Sequence, residues 1–289
     1  MKLLIVGHSV VDHVFDGYGE KISPGGIFYS ASGFNALSSQ NDELHLLTSI
    51  SDNDFHFFER TFRKYDLMYA NKLEEIPHVN LYLDGNAERK EHYKKSFEPL
   101  QLSKELNLQS YDGIYINMIT GTDLLPDDFE HIRKASLGKV YLDVHTLSRG
   151  IGKDQHRYFR KISDYEKYLC NVDIIQVNEH ELKTVTPFDE KEKILNTVFS
   201  SGVEAIIITK GDNGAELFLS DGSFYSVEAI KVNSINKIGC GDVFGSVFFY
   251  SYLSGLNYEK CLFKANKAAG IVTTYSKANQ FINLKNDII

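Results

Sequence analysis

The strongest constraint in this sequence is a rhythm in which strand-sized apolar runs alternate with longer stretches of helical spacing. The apolar runs fall at residues 3–7, 44–50, 113–118, 139–143, 173–177 and 205–209. Each is short, almost continuously apolar and closed by glycine or polar residues, the pattern of a strand buried on both faces. Residues 27–38, 126–136, 155–169 and 190–201 between them read as helices. Residues 54–65 also read as a helix, with Phe55, Phe58 and Phe62 at i, i+3 and i+7. Residues 241–254 and 258–275 follow as two consecutive helices. Strands alternating with helices predict an α/β fold of three layers, a mostly parallel sheet with helices on both faces. The chain has 289 residues, 43% of them hydrophobic, which suits one large domain over residues 1–289.

One stretch departs from the rhythm. Within residues 77–97, Val79, Leu81 and Leu83 alternate with polar residues, an Asp84-Gly85-Asn86 turn follows, and a polar second strand closes the unit. That is a hairpin with one apolar face.

Composition removes several function classes. The formal net charge is −8 and no run of five like charges occurs. The densest basic stretch, Arg89-Lys90 and Lys94-Lys95, is interrupted and reads as a solvated face. A nucleic-acid partner is therefore not expected. Cys170, Cys240 and Cys261 are far apart and odd in number, which suggests neither a disulfide framework nor a zinc site. Five apolar residues before Gly7 are too few for a signal peptide, and no apolar run is long enough to span a membrane. The expected setting is a reducing cytoplasm.

Sheets of this kind bind ligands at the carboxyl ends of their strands. Gly7, Asp143, Asn178 and Gly211 all fall at or just past predicted strand ends. The segment that carries the most chemistry is Gly239-Cys240-Gly241-Asp242, which opens an apolar helix. Two glycines let the backbone approach a ligand closely, and the helix start offers free N–H groups and a positive dipole end. An aspartate there would repel a phosphate that merely binds. It makes sense if Asp242 faces a hydroxyl nucleophile as general base while the amides of Gly239, Cys240 and Gly241 face a transferring phosphoryl group. A helix N-terminus weakens a carboxylate as a base, but a loose phosphoryl-transfer transition state needs little basicity early. Alone, the segment also reads as a glycine turn with a capping aspartate. A dinucleotide fingerprint would sit early in a strand–helix–strand unit, and this one sits late.

Four further segments accompany it: Asn178-Glu179-His180-Glu181 at a strand end, Thr209-Lys210-Gly211-Asp212-Asn213-Gly214, the sequence from Val6 to Asp12, and Gly25-Gly26 four residues before Ser30. With these motifs the chain resembles, over nearly its whole length, the ribokinase-like (PfkB) family of carbohydrate kinases. The resemblance implies ATP and Mg²⁺ as cofactors and a small-molecule substrate, most simply a sugar. It makes Asp242 the catalytic base and Gly239 to Gly241 the anion hole. It places Asn178 and Glu181 in the nucleotide region, with Glu181 reaching Mg²⁺ through water. It assigns Thr209, Gly211 and Gly214 to the nucleotide turn and Asn266 to the adenine. Asp12, Gly25, Gly26 and Ser30 would meet the substrate. Residues 77–97 with about 11–26 become a lid, whose apolar face would be covered by the sugar or, in a homodimer, by a second copy.

The match departs in places. Ser30 stands where the family has asparagine. Asn236, Lys237 and Ile238 replace residues whose oxygens hold a monovalent cation in the family, so K⁺ activation is not expected. Lys237 would instead bring a positive charge to the phosphates. Asp143 and Arg149 occupy a place where relatives carry a related motif at different spacing. His8, His145 and His180 would line the cleft without a catalytic part. The altered signatures also fit a second reading, a degenerate kinase fold that binds a ligand for regulation. Neither Asp12 nor the glycine pair names the substrate. No dense Arg/Lys cluster lies in the substrate segments, which favours an unphosphorylated one.

Overall fold

The protein is described from a computed structural model over residues 1–15, 19–82, 90–93 and 97–288. Its main sheet has eight strands in the spatial order Phe224–Val227, Ala215–Leu219, Ala205–Thr209, Ile174–Asn178, Lys139–Asp143, Gly113–Asn117, Lys2–Val6 and Glu43–Leu47. The last six are mutually parallel, and the first two add an antiparallel edge.

Successive side chains on these strands enter two separate cores. Leu3, Ile5, Tyr115, Tyr141, Ile174 and Ile207 pack with the helices Ile27–Leu37, Cys240–Leu253 and Tyr258–Val272. Leu4, Val6, Ile116, Leu142, Ile175 and Ile206 pack with Pro126–Ala135, Tyr165–Leu169 and Lys191–Ser200. Burying one such side chain contributes about 1.5–3 kcal/mol, more than the net ~1 kcal/mol of a ladder hydrogen bond. The two-sided apolar pattern therefore places these strands between two helical layers, and the expected three-layer architecture is present.

A second sheet has four strands in the order Glu20–Gly26, Ser9–Phe15, His78–Tyr82 and Lys90–Tyr93. Its inner face carries Val10, Val79 and Leu81 into the same core as the first helix. The apolar face that suggested a homodimer is thus covered by the chain itself. The expected turn Asp84-Gly85-Asn86 and Leu83 lie outside the described residues.

Glu20–Gly26 runs straight into the first helix, redirected at Gly26 by a φ of 61°. Two expectations need correction. Residues 54–65 form a 3₁₀ turn, Phe55–Phe57, and one α-turn, Glu59–Phe62. The stripe itself is real, since Phe58 and Phe62 are buried, but the backbone of Asp66 pairs with Leu44 and Leu46 and ends the helix early. Residues 155–169 split into the strand Arg157–Phe159 and the helix Tyr165–Leu169. Gln155 takes a positive φ of 64°, and Arg157–Phe159 pairs back onto Arg149–Ile151. Among the described residues no helix is long and apolar enough to cross a membrane.

Candidate active site

The cleft lies where the small sheet covers the carboxyl ends of the parallel strands. Val10, Asp12, Val79, Leu81, Glu91 and Tyr93 form its roof. Tyr29, Ile119, His145, Ile238, Gly239 and Asp242 form its floor and wall. The space that a water-sized body can enter is about 30 Å³, whereas one water needs about 10–15 Å³. The two sheets are closed onto each other.

Asp242 sits in the first turn of Cys240–Leu253 and is only 8% exposed. Asn117 Nδ2 donates to its Oδ1 at 2.6 Å and to Ser30 Oγ at 3.1 Å. The first bond is a short, charge-assisted contact that fixes one carboxylate oxygen. Ser30 is fully buried and in turn bonds Tyr115, so it supports Asn117 from behind and does not line the cleft. Asn117 was not singled out from sequence. It ends the strand Gly113–Asn117, and the rule that ligands gather at strand ends was the signal available for it.

The glycines of the motif differ in what they do. Gly239 has a φ of 80°, and a Cβ there would fall 2.3 Å from the Tyr29 ring. A Cβ at Gly241 would meet only Gln176 Nε2, at 3.8 Å. Gly239 is therefore demanded by the fold, while Gly241 leaves open room at the helix start, where first-turn amides lack intrahelical acceptors. Cys240, half-buried, lies between them. In the small sheet, a Cβ at Gly25 would lie 2.2 Å from the carboxylate of Asp12, so Gly25 makes the space in which Asp12 sits. Gly26 redirects the chain, and its added Cβ would meet His8 O at 2.4 Å. Asp12 itself is buried, with Tyr29 OH 3.5 Å from its Oδ2.

A second polar layer lies behind the helix start. Gln176 Nε2 donates to Asp143 Oδ2 at 3.1 Å and to Gly241 O at 2.9 Å, and its Oε1 accepts from Tyr141 OH at 2.7 Å. Burial pushes the Asp143 carboxyl well above the usual carboxylate range, and the negative charges of Asp242 and Glu181 push it further. Those three carboxylates thus crowd one region, an arrangement that a divalent cation would relieve. No cluster of three or more His, Cys, Asp and Glu with metal-ligand geometry occurs among the described residues. Asn178 and Glu181 form a capping box on the short helix Glu179–Leu182: Asn178 Oδ1 accepts from the amides of His180 and Glu181, and Glu181 Oε2 accepts from that of Asn178. The motif is first a helix start, and the box holds Glu181 buried.

The expected nucleotide turn follows the strand Ala205–Thr209. Gly211 and Gly214 have φ values of 54° and 85°, and a Cβ at Gly214 would meet Val227 O at 1.9 Å. Thr209 Oγ1 reaches Val177 O at 3.4 Å. Lys237 Nζ pairs with the Asp212 carboxylate at 2.7 Å, so its charge bridges this turn and the Gly239 segment. Asn266 Nδ2 donates to Glu228 O at 2.9 Å, which ties it to the backbone beside its helix. Of the three histidines, only His145 lines the cleft. His8 is buried, bonds Ser49 Oγ through Nδ1, and is held below its ordinary pKa by burial. His180 is exposed and stacks on Phe159. Arg149 lies 4.0 Å from Glu91 on the roof.

A parallel sheet whose strand ends gather a glycine-rich helix start and a carboxylate beneath a small second sheet is the fold of the ribokinase-like class. The chain belongs to the pfkB family of carbohydrate kinases, with residues 87–284 matching the family described as "pfkB family carbohydrate kinase". It is accordingly a phosphotransferase with an alcohol group as acceptor. It is 22% identical over 283 residues to a nucleoside kinase of Methanocaldococcus jannaschii, covering 90% of this chain and 86% of that protein. Its fold matches a pyrophosphate-dependent kinase of the ribokinase family, solved with a pyrophosphate analog and myo-inositol, at a TM-score of 0.81 and 17% identity over 99% of this chain and 100% of the other. It also matches the ribokinase of Arabidopsis thaliana, solved with ribose and ATP, at a TM-score of 0.72 and 15% identity over 98% of each chain.

Proposed function

We propose that this protein transfers the terminal phosphoryl group of ATP, with Mg²⁺, to a hydroxyl of an uncharged sugar or related polyol. The observation that carries this reading is the Asp242 carboxylate, held through one oxygen by Asn117 at a helix start and lining the same cleft as Asp12. In this reading Asp12 accepts hydroxyls of the substrate and orients it. Asp242 takes the proton of the attacking hydroxyl through Oδ2 as the new P–O bond forms and the bond to the ADP oxygen breaks. The amides of Gly239, Cys240 and Gly241 stabilise the charge on the transferring group. Glu181 and Asn178, with Asp143 nearby, would hold a hydrated Mg²⁺, which when bound neutralises phosphate charge. The small sheet of Ser9–Phe15, Glu20–Gly26, His78–Tyr82 and Lys90–Tyr93 acts as a lid: it opens to admit substrate and closes to exclude water.

The donor has a second reading. Asn266, the expected adenine contact, is tied to Glu228 O, and one fold neighbour is pyrophosphate-dependent. That combination favours testing pyrophosphate beside ATP.

A screen of sugars, inositols and nucleosides, with ATP or pyrophosphate and Mg²⁺, tests the proposal by detecting phosphorylated product. Product with at least one polyol is expected. A sugar that raises the melting temperature while no donor gives product would favour the degenerate, ligand-binding alternative.

A further inference from the structure

Glu91 takes no part in the transfer just described, yet it is a charged side chain only 3% exposed on the roof of the cleft. Strand pairing fixes which way it faces. Asp12 pairs with Val79, Val79 with Tyr93, and Leu81 with Glu91, and directly opposed residues share a face. Asp12 and Glu91 therefore project from the same inner face, on strands two places apart. Two strand spacings are about 10 Å, and Glu91 lies two residues along its strand from Tyr93, about 7 Å at right angles to that, so the two backbone positions are about 12 Å apart. With a hydroxyl hydrogen bond of about 2.7 Å at each end, that gap suits a single polyhydroxylated ring. Val10, Val79, Leu81 and Ile119 supply apolar surface for its C–H faces.

The cleft also has a sign. Its lining carries the carboxylates of Asp12, Glu91 and Asp242 and no Lys or Arg among the described residues. Arg149 reaches Glu91 from the strand Arg149–Ile151, with Nη1 4.0 Å from Oε1 and the guanidinium 4.5 Å over Phe159. It anchors Glu91 at the edge and is not part of the lining.

We propose that Glu91 is a specificity-determining residue: it accepts a hydroxyl of the substrate other than the one phosphorylated, so that Asp12 and Glu91 bracket an uncharged ring and reject analogues bearing a phosphate at that end. This rests on the reading of the cleft as a sugar site. The test is steady-state kinetics of the unaltered protein and Glu91→Gln on the polyol identified by the screen, its singly deoxygenated analogues and its phosphorylated form. Glu91→Gln is expected to raise KM at least tenfold with kcat changed by less than about threefold. One deoxy analogue is expected to lose at least tenfold in kcat/KM with the unaltered protein but little with Glu91→Gln. The double variant Glu91→Gln/Arg149→Gln removes the ion pair whole and should keep the raised KM. An unchanged KM, an equal loss on every analogue, or recovery of the original KM in the double variant would overturn the assignment and leave Glu91 a structural latch. If no polyol is phosphorylated by the unaltered protein, the proposed activity fails. The same variants then report on Glu91 through the dissociation constant of the polyol by calorimetry, where a tenfold weakening is expected and an unchanged value overturns the inference.

Discussion

Asp242 owes its place to residues far away in sequence. Its Oδ1 is fixed by Asn117, which Ser30 supports from the first helix. A hydrogen bond to a charged group contributes about 1.5–3 kcal/mol. Asn117→Ala is therefore expected to lower kcat about 10- to 100-fold in the phosphoryl-transfer assay with little change in donor KM. The motif glycines separate stability from binding. Gly239→Ala forces a Cβ against the Tyr29 ring from a left-handed backbone, and should lower the melting temperature by several degrees. Gly241→Ala should leave the melting temperature within about 1 °C, since its Cβ has room, and should raise donor KM instead. Equal melting temperatures for the two variants would contradict this division. At this scale the Gly239-Cys240-Gly241-Asp242 motif was legible because a helix start with glycines and a carboxylate is local chemistry. Asn117, Gln176 and Glu91 were not legible, because only topology brings the ends of separate strands to one point. Ser30, expected at the substrate, is buried behind Asn117.

At the scale of elements, buried strands were easy to place and amphipathic segments were not. A continuous apolar run has few ways to be satisfied outside a sheet, as residues 205–209 illustrate. Residues 155–169 carried helical spacing, yet Arg157 donates to Thr120 O and stacks on Tyr93, and these tertiary contacts draw the segment into a strand. The exposed Lys237–Asp212 ion pair belongs to this scale too, since it links the Gly239 segment to the 209–214 turn. Such exposed pairs contribute about 0–1 kcal/mol to stability. Lys237→Ala should thus barely change the melting temperature while raising donor KM several-fold. An unchanged KM would show that its charge does not reach the phosphates. The roof strands His78–Tyr82 and Lys90–Tyr93 close onto a space too small for a sugar. Their amide exchange should slow when a polyol binds, and unchanged exchange on binding would contradict a moving lid.

For the whole molecule, the site is held against electrostatic cost. The Asp143 carboxyl is raised by burial and by the charges of Asp242 and Glu181. A raised carboxyl weakens the folded state as pH climbs above its ordinary value near 3.8, with the cost growing until pH reaches the folded-state value. Buried His8 acts in the opposite direction, since its lowered pKa costs stability as pH falls below about 6.5. Asp143→Asn keeps an oxygen for Gln176 and removes the charge. Its stability advantage over the parent should be absent near pH 4 and should grow toward pH 8 in thermal unfolding. A pH-independent difference would show that Asp143 carries no such burden.

The measurement that bears most directly on the central claim is product formation by Asp242→Asn under saturating Mg²⁺, donor and polyol. Removing a general base typically costs 10²–10⁴-fold. The variant should lose about that much kcat while its melting temperature and its affinity for donor match those of the parent. Turnover equal to the parent's would contradict the assignment of Asp242 and, with it, the account of this cleft as a phosphoryl-transfer site.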